Sequence, residues 1–112
     1  MQSCAFVNLP YDEGNGREII RFWSSGKFDE MTNDGALFPI QGNLFEHADG
    51  EGTETISLKS NYNQALGNTV RATQGGINIR RGTNNTLKGK IILGEDVPGA
   101  HGLRMSGSNH LV

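Results

Sequence analysis

The segments Glu54-Thr-Ile-Ser-Leu-Lys-Ser60 and Gly76-Ile-Asn-Ile-Arg-Arg-Gly82 decide how this chain folds. Both are short alternating runs of strand-forming residues, and in each an apolar pair stands just before a cation: Ile56 and Leu58 before Lys59, Ile77 and Ile79 before Arg80. The step from 59 to 80 is 21 residues, close to one turn of a stacked β-solenoid, whose repeats run upward from roughly 20 residues. On that reading the two cations sit side by side on neighbouring rungs. Strand alternation puts Glu54, Ile56 and Leu58 on one side and Thr55, Ser57 and Lys59 on the other. Glu54 and Lys59 therefore share a face only if the strand bends between them.

The rest of the chain repeats the theme. A turn-plus-strand unit recurs at Gly42-Asn43-Leu44, Gly67-Asn68-Thr69-Val70, Asn84-Asn85-Thr86-Leu87 and Ser108-Asn109-His110-Leu111, with asparagines 25, 17 and 24 residues apart. A second series interleaves with it: Glu18-Ile-Ile-Arg21, Thr55-Ile-Ser-Leu58, Ile77-Asn-Ile-Arg80 and Leu103-Arg-Met105. Two strand series, each recurring once per coil, describe a solenoid whose like strands stack into parallel sheets. Asparagine and glycine suit the bends because both tolerate left-handed backbone angles. Residues 24–34 and 94–102 break the rhythm and read as loops between coils. The expectation is an all-β parallel β-helix of about four coils, one domain over residues 1–112. An ordinary sandwich of short strands is the rival with the same composition. Because the pattern starts and stops mid-strand, the chain reads as a fragment or miniature of a longer solenoid, or one that self-associates through its open ends.

Composition narrows the function classes. The 112 residues include 16 glycines and only 35% apolar residues, which marks a turn-rich chain with a modest core. A formal charge of −2 gives no bulk attraction to nucleic acid or to an anionic membrane. A polyanion would have to be held by a local basic stripe. No apolar run approaches the ~20 residues of a membrane span, and the first residues lack a signal peptide's basic stretch and apolar core. Cys4 stands alone, which rules out an intramolecular disulfide, and reads as a small buried residue rather than a nucleophile. The aromatic residues Phe22, Phe38 and Phe45 read as core, and Trp23, just before a loop, as the one candidate sugar platform. His47, His101 and His110 share no spacing and read as structural.

Chemistry concentrates around Lys59. Beside Arg80 or Arg81 its ammonium would be disfavoured by like charge, which lowers its pKa and suits it to a general base. Arginine keeps its charge and suits orienting an anion or stabilising developing negative charge. Upstream, Asp49-Gly-Glu51-Gly-Thr-Glu54 offers carboxylates that calcium would accept as hard oxygen ligands, or simply a solvated acidic turn.

Taken in order, Gly14-Asn-Gly-Arg-Glu-Ile-Ile-Arg21, Asn43-Leu-Phe-Glu-His-Ala-Asp-Gly-Glu51, Ile56-Ser-Leu-Lys-Ser60, Ile77-Asn-Ile-Arg-Arg-Gly82, Leu93-Gly94 and Val97-Pro-Gly-Ala-His-Gly-Leu-Arg104 resemble polysaccharide lyase family 6, which includes alginate lyases and chondroitinase B. The resemblance implies a right-handed parallel β-helix that cleaves an anionic uronic-acid polysaccharide, alginate first among them, by β-elimination. It implies Lys59 as the base and Arg80 as the acid or leaving-oxygen stabiliser. It further implies Arg81 and Arg104 as substrate-binding residues, Asn15, Glu51 and Glu54 as ligands of Ca2+, and a secreted or periplasmic location. Three positions depart from the family pattern: Arg81 replaces a histidine, Leu58 an asparagine, and Arg17 a glycine. One residue too many separates Glu51 from Lys59. The alternatives are a non-catalytic carbohydrate-binding β-helix and a structural solenoid such as a phage-spike or adhesin segment.

Overall fold

Ile56 and Leu58 turn inward in the strand β5 (Glu54–Lys59), and what they stack on is the fold. In the computed structural model, which describes residues 1–23 and 39–112, Ile56 lies between Ile20 of β2 (Ile20–Trp23) and Ile77 of β8 (Gly75–Ile79), and Leu58 between Phe22 and Ile79. A fourth strand, β11 (Ala100–Met105), continues the stack with Leu103 against Ile77. Every pairing within this sheet, ordered β11-β8-β5-β2, is parallel.

Two further sheets complete each coil. One is ordered β1-β4-β7-β10, from Ala5–Leu9, Leu44–Ala48, Thr69–Arg71 and Ile91–Leu93. The other is ordered β3-β6-β9, from Pro39–Gln41, Gln64–Leu66 and Thr86–Lys88. Both are wholly parallel as well. The chain visits the three sheets in turn and then repeats, which is a parallel β-helix. A sandwich would need antiparallel pairs.

The core is a set of columns. Phe6, Phe45, Val70 and Ile92 form one, its first two rings stacked at 4.9 Å, and Ile40, Ala65 and Leu87 form another. Phe45, Ile40, Ile56, Leu58, Ile77, Ile79 and Leu87 are fully buried. Phe22 is partly buried against them, while Phe38, the Trp23 side chain and the loop read at residues 24–34 lie outside the described residues. Coil upon coil, like side chain covers like, so each rung removes its neighbour's apolar surface from water at about 25 cal/mol per Å².

The asparagines sort into two ladders rather than one series. Asn43 and Asn68 stack at the corner entering the first strand of each coil, with the Asn43 amide donating to Asn68 Oδ1 at 3.0 Å and the Asn68 amide to the Ile40 carbonyl at 2.8 Å. Gly42 and Gly67 just before them, and Gly89 stacked on Gly67 one coil on, hold φ of 62°, 61° and 62°, a left-handed turn that glycine makes at least cost. At a different corner Asn63 donates to Asn85 Oδ1 at 3.1 Å, and the Asn85 backbone amide donates to His110 Nδ1 at 3.2 Å. The odd interval of 17 residues in sequence joined members of separate ladders. Buried amides that satisfy backbone groups across rungs also fix the register.

Two local expectations change. Cys4 is exposed, not buried: it precedes the mostly exposed edge strand β1, and its thiol donates to the Gln2 carbonyl. The loop read at residues 94–102 is shorter, because Ala100 already pairs with Gly75.

Candidate active site

A bend in β5 makes the site. Glu54 pairs with Gly76 but Ile56 with Ile77, so one residue of β5 is left over between them. Such a bulge reverses the alternation for everything before it. Glu54 therefore joins Lys59 on the outer face of the sheet, while Ile56 and Leu58 stay in the core.

Around that face one pocket is lined by Asn15, Glu51, Glu54, Lys59, Arg80 and Arg81. The sequence reading named all six. They come from three coils: Asn15 from the connection before β2, Glu51 from the turn between β4 and β5, and Arg80 and Arg81 from just after β8. Glu51 fastens the first of these to the second, accepting the backbone amides of Gly16 at 3.0 Å and Arg17 at 3.2 Å. Arg17 turns away to pair with Asp12. Leu58 belongs to the core column. Arg104 does not line the pocket; it stands exposed on the same sheet, in register with Asn78.

Lys59 and Arg80 are not bare neighbours, because a carboxylate lies between them. Glu54 Oε1 accepts from Arg80 Nη1 at 2.5 Å, and its Oε2 lies 3.9 Å from Lys59 Nζ. On the far side, Lys59 Nζ donates to Glu18 Oε1 at 2.5 Å. The outcome is an alternating line, Glu18–Lys59–Glu54–Arg80, with both carboxylate side chains 1% exposed, Lys59 11% and Arg80 45%. Glu18 was missed by the sequence reading. Its signal is the register: Ile20 lies opposite Ile56, and Glu18 stands two residues before Ile20. That register is hidden in sequence because the first coil is much longer than the 21-residue step.

Burial alone would push the Glu54 carboxyl up. The Ser57 hydroxyl beside it, the Arg80 guanidinium bonded to it and the charges of Arg80 and Lys59 outweigh that, and Glu54 titrates below its ordinary value. Arg80 is held above its ordinary value by its bond and charge to Glu54. Buried ion pairs seldom repay their desolvation as stability. Groups perturbed in this way, facing a pocket, mark functional sites.

The pocket also offers a cation cradle. Glu18, Glu51 and Glu54 each present an oxygen within 4.8 Å of the others, and Asn15 lines the same pocket. Among the described residues, nothing donates a hydrogen bond to the buried Glu18 Oε2 and Glu54 Oε2. This all-oxygen, mostly anionic set suits calcium.

The family model for chondroitinase B matches residues 1–112. The chain belongs to polysaccharide lyase family 6. A solved structure of a family 6 polysaccharide lyase from Pseudopedobacter saltans is 50% identical and superposes with a TM-score of 0.90 over 97% of this chain. The chain spans only 25% of that lyase's length. No curated protein matches it. Family membership agrees with the parallel β-helix.

Proposed function

We propose that this family 6 chain carries the catalytic centre of a lyase that cleaves a uronic-acid polymer, alginate foremost, by β-elimination. The observation that carries the reading is the single pocket in which Asn15, Glu51, Glu54, Lys59, Arg80 and Arg81 converge. Lys59 takes the proton from C5 of the uronate. The electron pair forms the C4–C5 double bond, and the C4–O bond breaks. Arg80 keeps its proton, as its raised pKa supports, and stabilises the charge gathering on the leaving oxygen until water protonates it. Arg81, and Arg104 further along the sheet, hold neighbouring uronate carboxylates.

Asn15, Glu51, Glu54 and Glu18 are the residues that would hold calcium. Held by these residues, calcium would supply charge neutralisation of the uronate carboxylate and so favour loss of the adjacent C–H proton. A polymer substrate of this kind fits a secreted or periplasmic enzyme. The purely binding reading loses ground because Glu54 and Lys59 share a face. The purely structural reading loses ground because Arg80 is 45% exposed at the mouth of a pocket.

The test is absorbance from the new double bond on incubating the chain with alginate or with dermatan sulfate, with and without calcium. A signal on alginate that vanishes in Lys59→Ala establishes the lyase. A folded chain silent on both polymers overturns the reading.

A further inference from the structure

Glu18 belongs to the cation cradle proposed above, and it also contacts the proposed base directly. Its side chain is 1% exposed, and one oxygen accepts from Lys59 Nζ at 2.5 Å while the other lies 3.5 Å from Arg21 Nη1. Lysine is a flexible four-carbon stem that on its own fixes no position for its nitrogen. Here the stem is 11% exposed, and Nζ is held between Glu18 of the first coil and Glu54 of its own. Glu54 is the weaker holder, at 3.9 Å, and is committed to Arg80 at 2.5 Å. Glu18 is in turn held by Arg21, three residues on along the same coil.

We infer that Glu18 is the positioning residue for Lys59, holding the amine at the pocket so that it meets the C5 proton of a bound uronate. The inference rests on the lyase reading for its kinetic consequence, but not for the contact itself. Glu18 touches no reacting atom in this role. It acts by sparing the reaction the search of a loose side chain, and misplacement by about 1 Å costs on the order of a hundredfold in rate.

Two measurements on the whole chain test this with Glu18→Gln and Glu18→Asp. The first is acylation of lysines by acetic anhydride in the presence of chelator, read peptide by peptide by mass spectrometry. Lys59 is expected to be protected in the wild type, labelled several-fold faster in Glu18→Gln, and partly protected again in Glu18→Asp. Lys88 and Lys90 serve as internal references and stay constant. The second is steady-state kinetics on alginate. Glu18→Gln is expected to lower kcat about tenfold or more with KM within twofold, and Glu18→Asp to recover part of kcat. Equal labelling of Lys59 in all three proteins overturns the inference. So does a rise in KM at unchanged kcat, which would make Glu18 a substrate-binding residue. Should Glu18→Gln fail to fold, Glu18→Asp decides: Lys59 labelling and kcat both at wild-type values overturn the inference, and a partial change in each supports it. A wild type inactive on polymer overturns the lyase reading alone, and the labelling arm still decides whether Glu18 holds Lys59.

Discussion

Two outer faces of this solenoid carry nearly the same charge pattern, and one of them holds the candidate site. On the sheet of β1, β4, β7 and β10, Arg71 lies between Glu46 and Glu95, at 3.7 Å and 2.6 Å, with exposures of 44%, 32% and 37%. On the sheet of β2, β5, β8 and β11, Glu18, Lys59, Glu54 and Arg80 alternate in the same way, but both carboxylates are 1% exposed. Side chains stacked on successive rungs place opposite charges side by side on either face at little cost. Screened by water, such a ladder contributes 0–1 kcal/mol per pair. Removed from water beside a pocket, the same alternation buries its carboxylates and confines a lysine. The lesson is that burial of the carboxylates separates a site from a decorated surface. Charge alternation does not.

The sharpest way to break the comparison is Lys59→Ala, expected to lower lyase turnover by 10²–10⁴-fold, the usual worth of a positioned general base, as read by double-bond absorbance. The corresponding Arg71→Ala should leave turnover unchanged.

Calcium sharpens it next. At about a hundred times its Kd a ligand specific to the folded state stabilises by about 2.7 kcal/mol. Calorimetry should therefore show a calcium-dependent rise in Tm in the wild type, abolished in Glu51→Gln. Calcium removal with chelator should reverse it. Glu95→Gln, on the exposed ladder, should respond like the wild type.

Glu54→Gln tests the buried carboxylate itself. It removes charge-assisted bonds worth about 2 kcal/mol, or roughly 10 °C in Tm for a chain of this size. The sign of its pH dependence follows from the depressed pKa of Glu54. The stabilisation is present above the ordinary carboxylate range and is lost as pH falls through the lower folded value. The gap between wild type and variant should therefore be widest near neutrality and close in acid. A gap independent of pH would sink the assignment of this stabilisation to the ionised carboxylate.

The smallest effect belongs to the exposed ladder. Arg71→Ala should change stability by less than about 1 kcal/mol, and high salt should erase the difference. A larger loss would mean the two faces are not as different as their burial implies.

Particular residues show how far the sequence could be read. Ile56, Leu58, Ile77 and Ile79 announced stacked strands, because inward positions of a solenoid must be apolar on every rung, and they pair as their spacing implied. The resemblance carried Asn15, Glu51, Glu54, Lys59, Arg80 and Arg81, and these line one pocket. The asparagine series was read as one ladder and is two, since one residue type serves different corners of the coil. Cys4 was misjudged because burial at the edge of a sheet depends on what lies beyond the strand.

By itself, then, the sequence pointed to the solenoid and its inward columns, because alternation and repeat length are local properties written along the chain, and its resemblance to the lyase family supplied the cast of site residues. Only the tertiary structure decided who faces whom. The bulge before Ile56 brings Glu54 round to Lys59, and Glu54 separates the two cations that spacing alone had set side by side. Glu18 arrives from a coil whose length hides its register. Arg104 stands on the same sheet but outside the pocket that holds the other five residues of the charged set. The physical reason is plainest at Glu54. A one-residue shift in pairing turns a side chain to the opposite face of a sheet, and such shifts are settled by packing between coils.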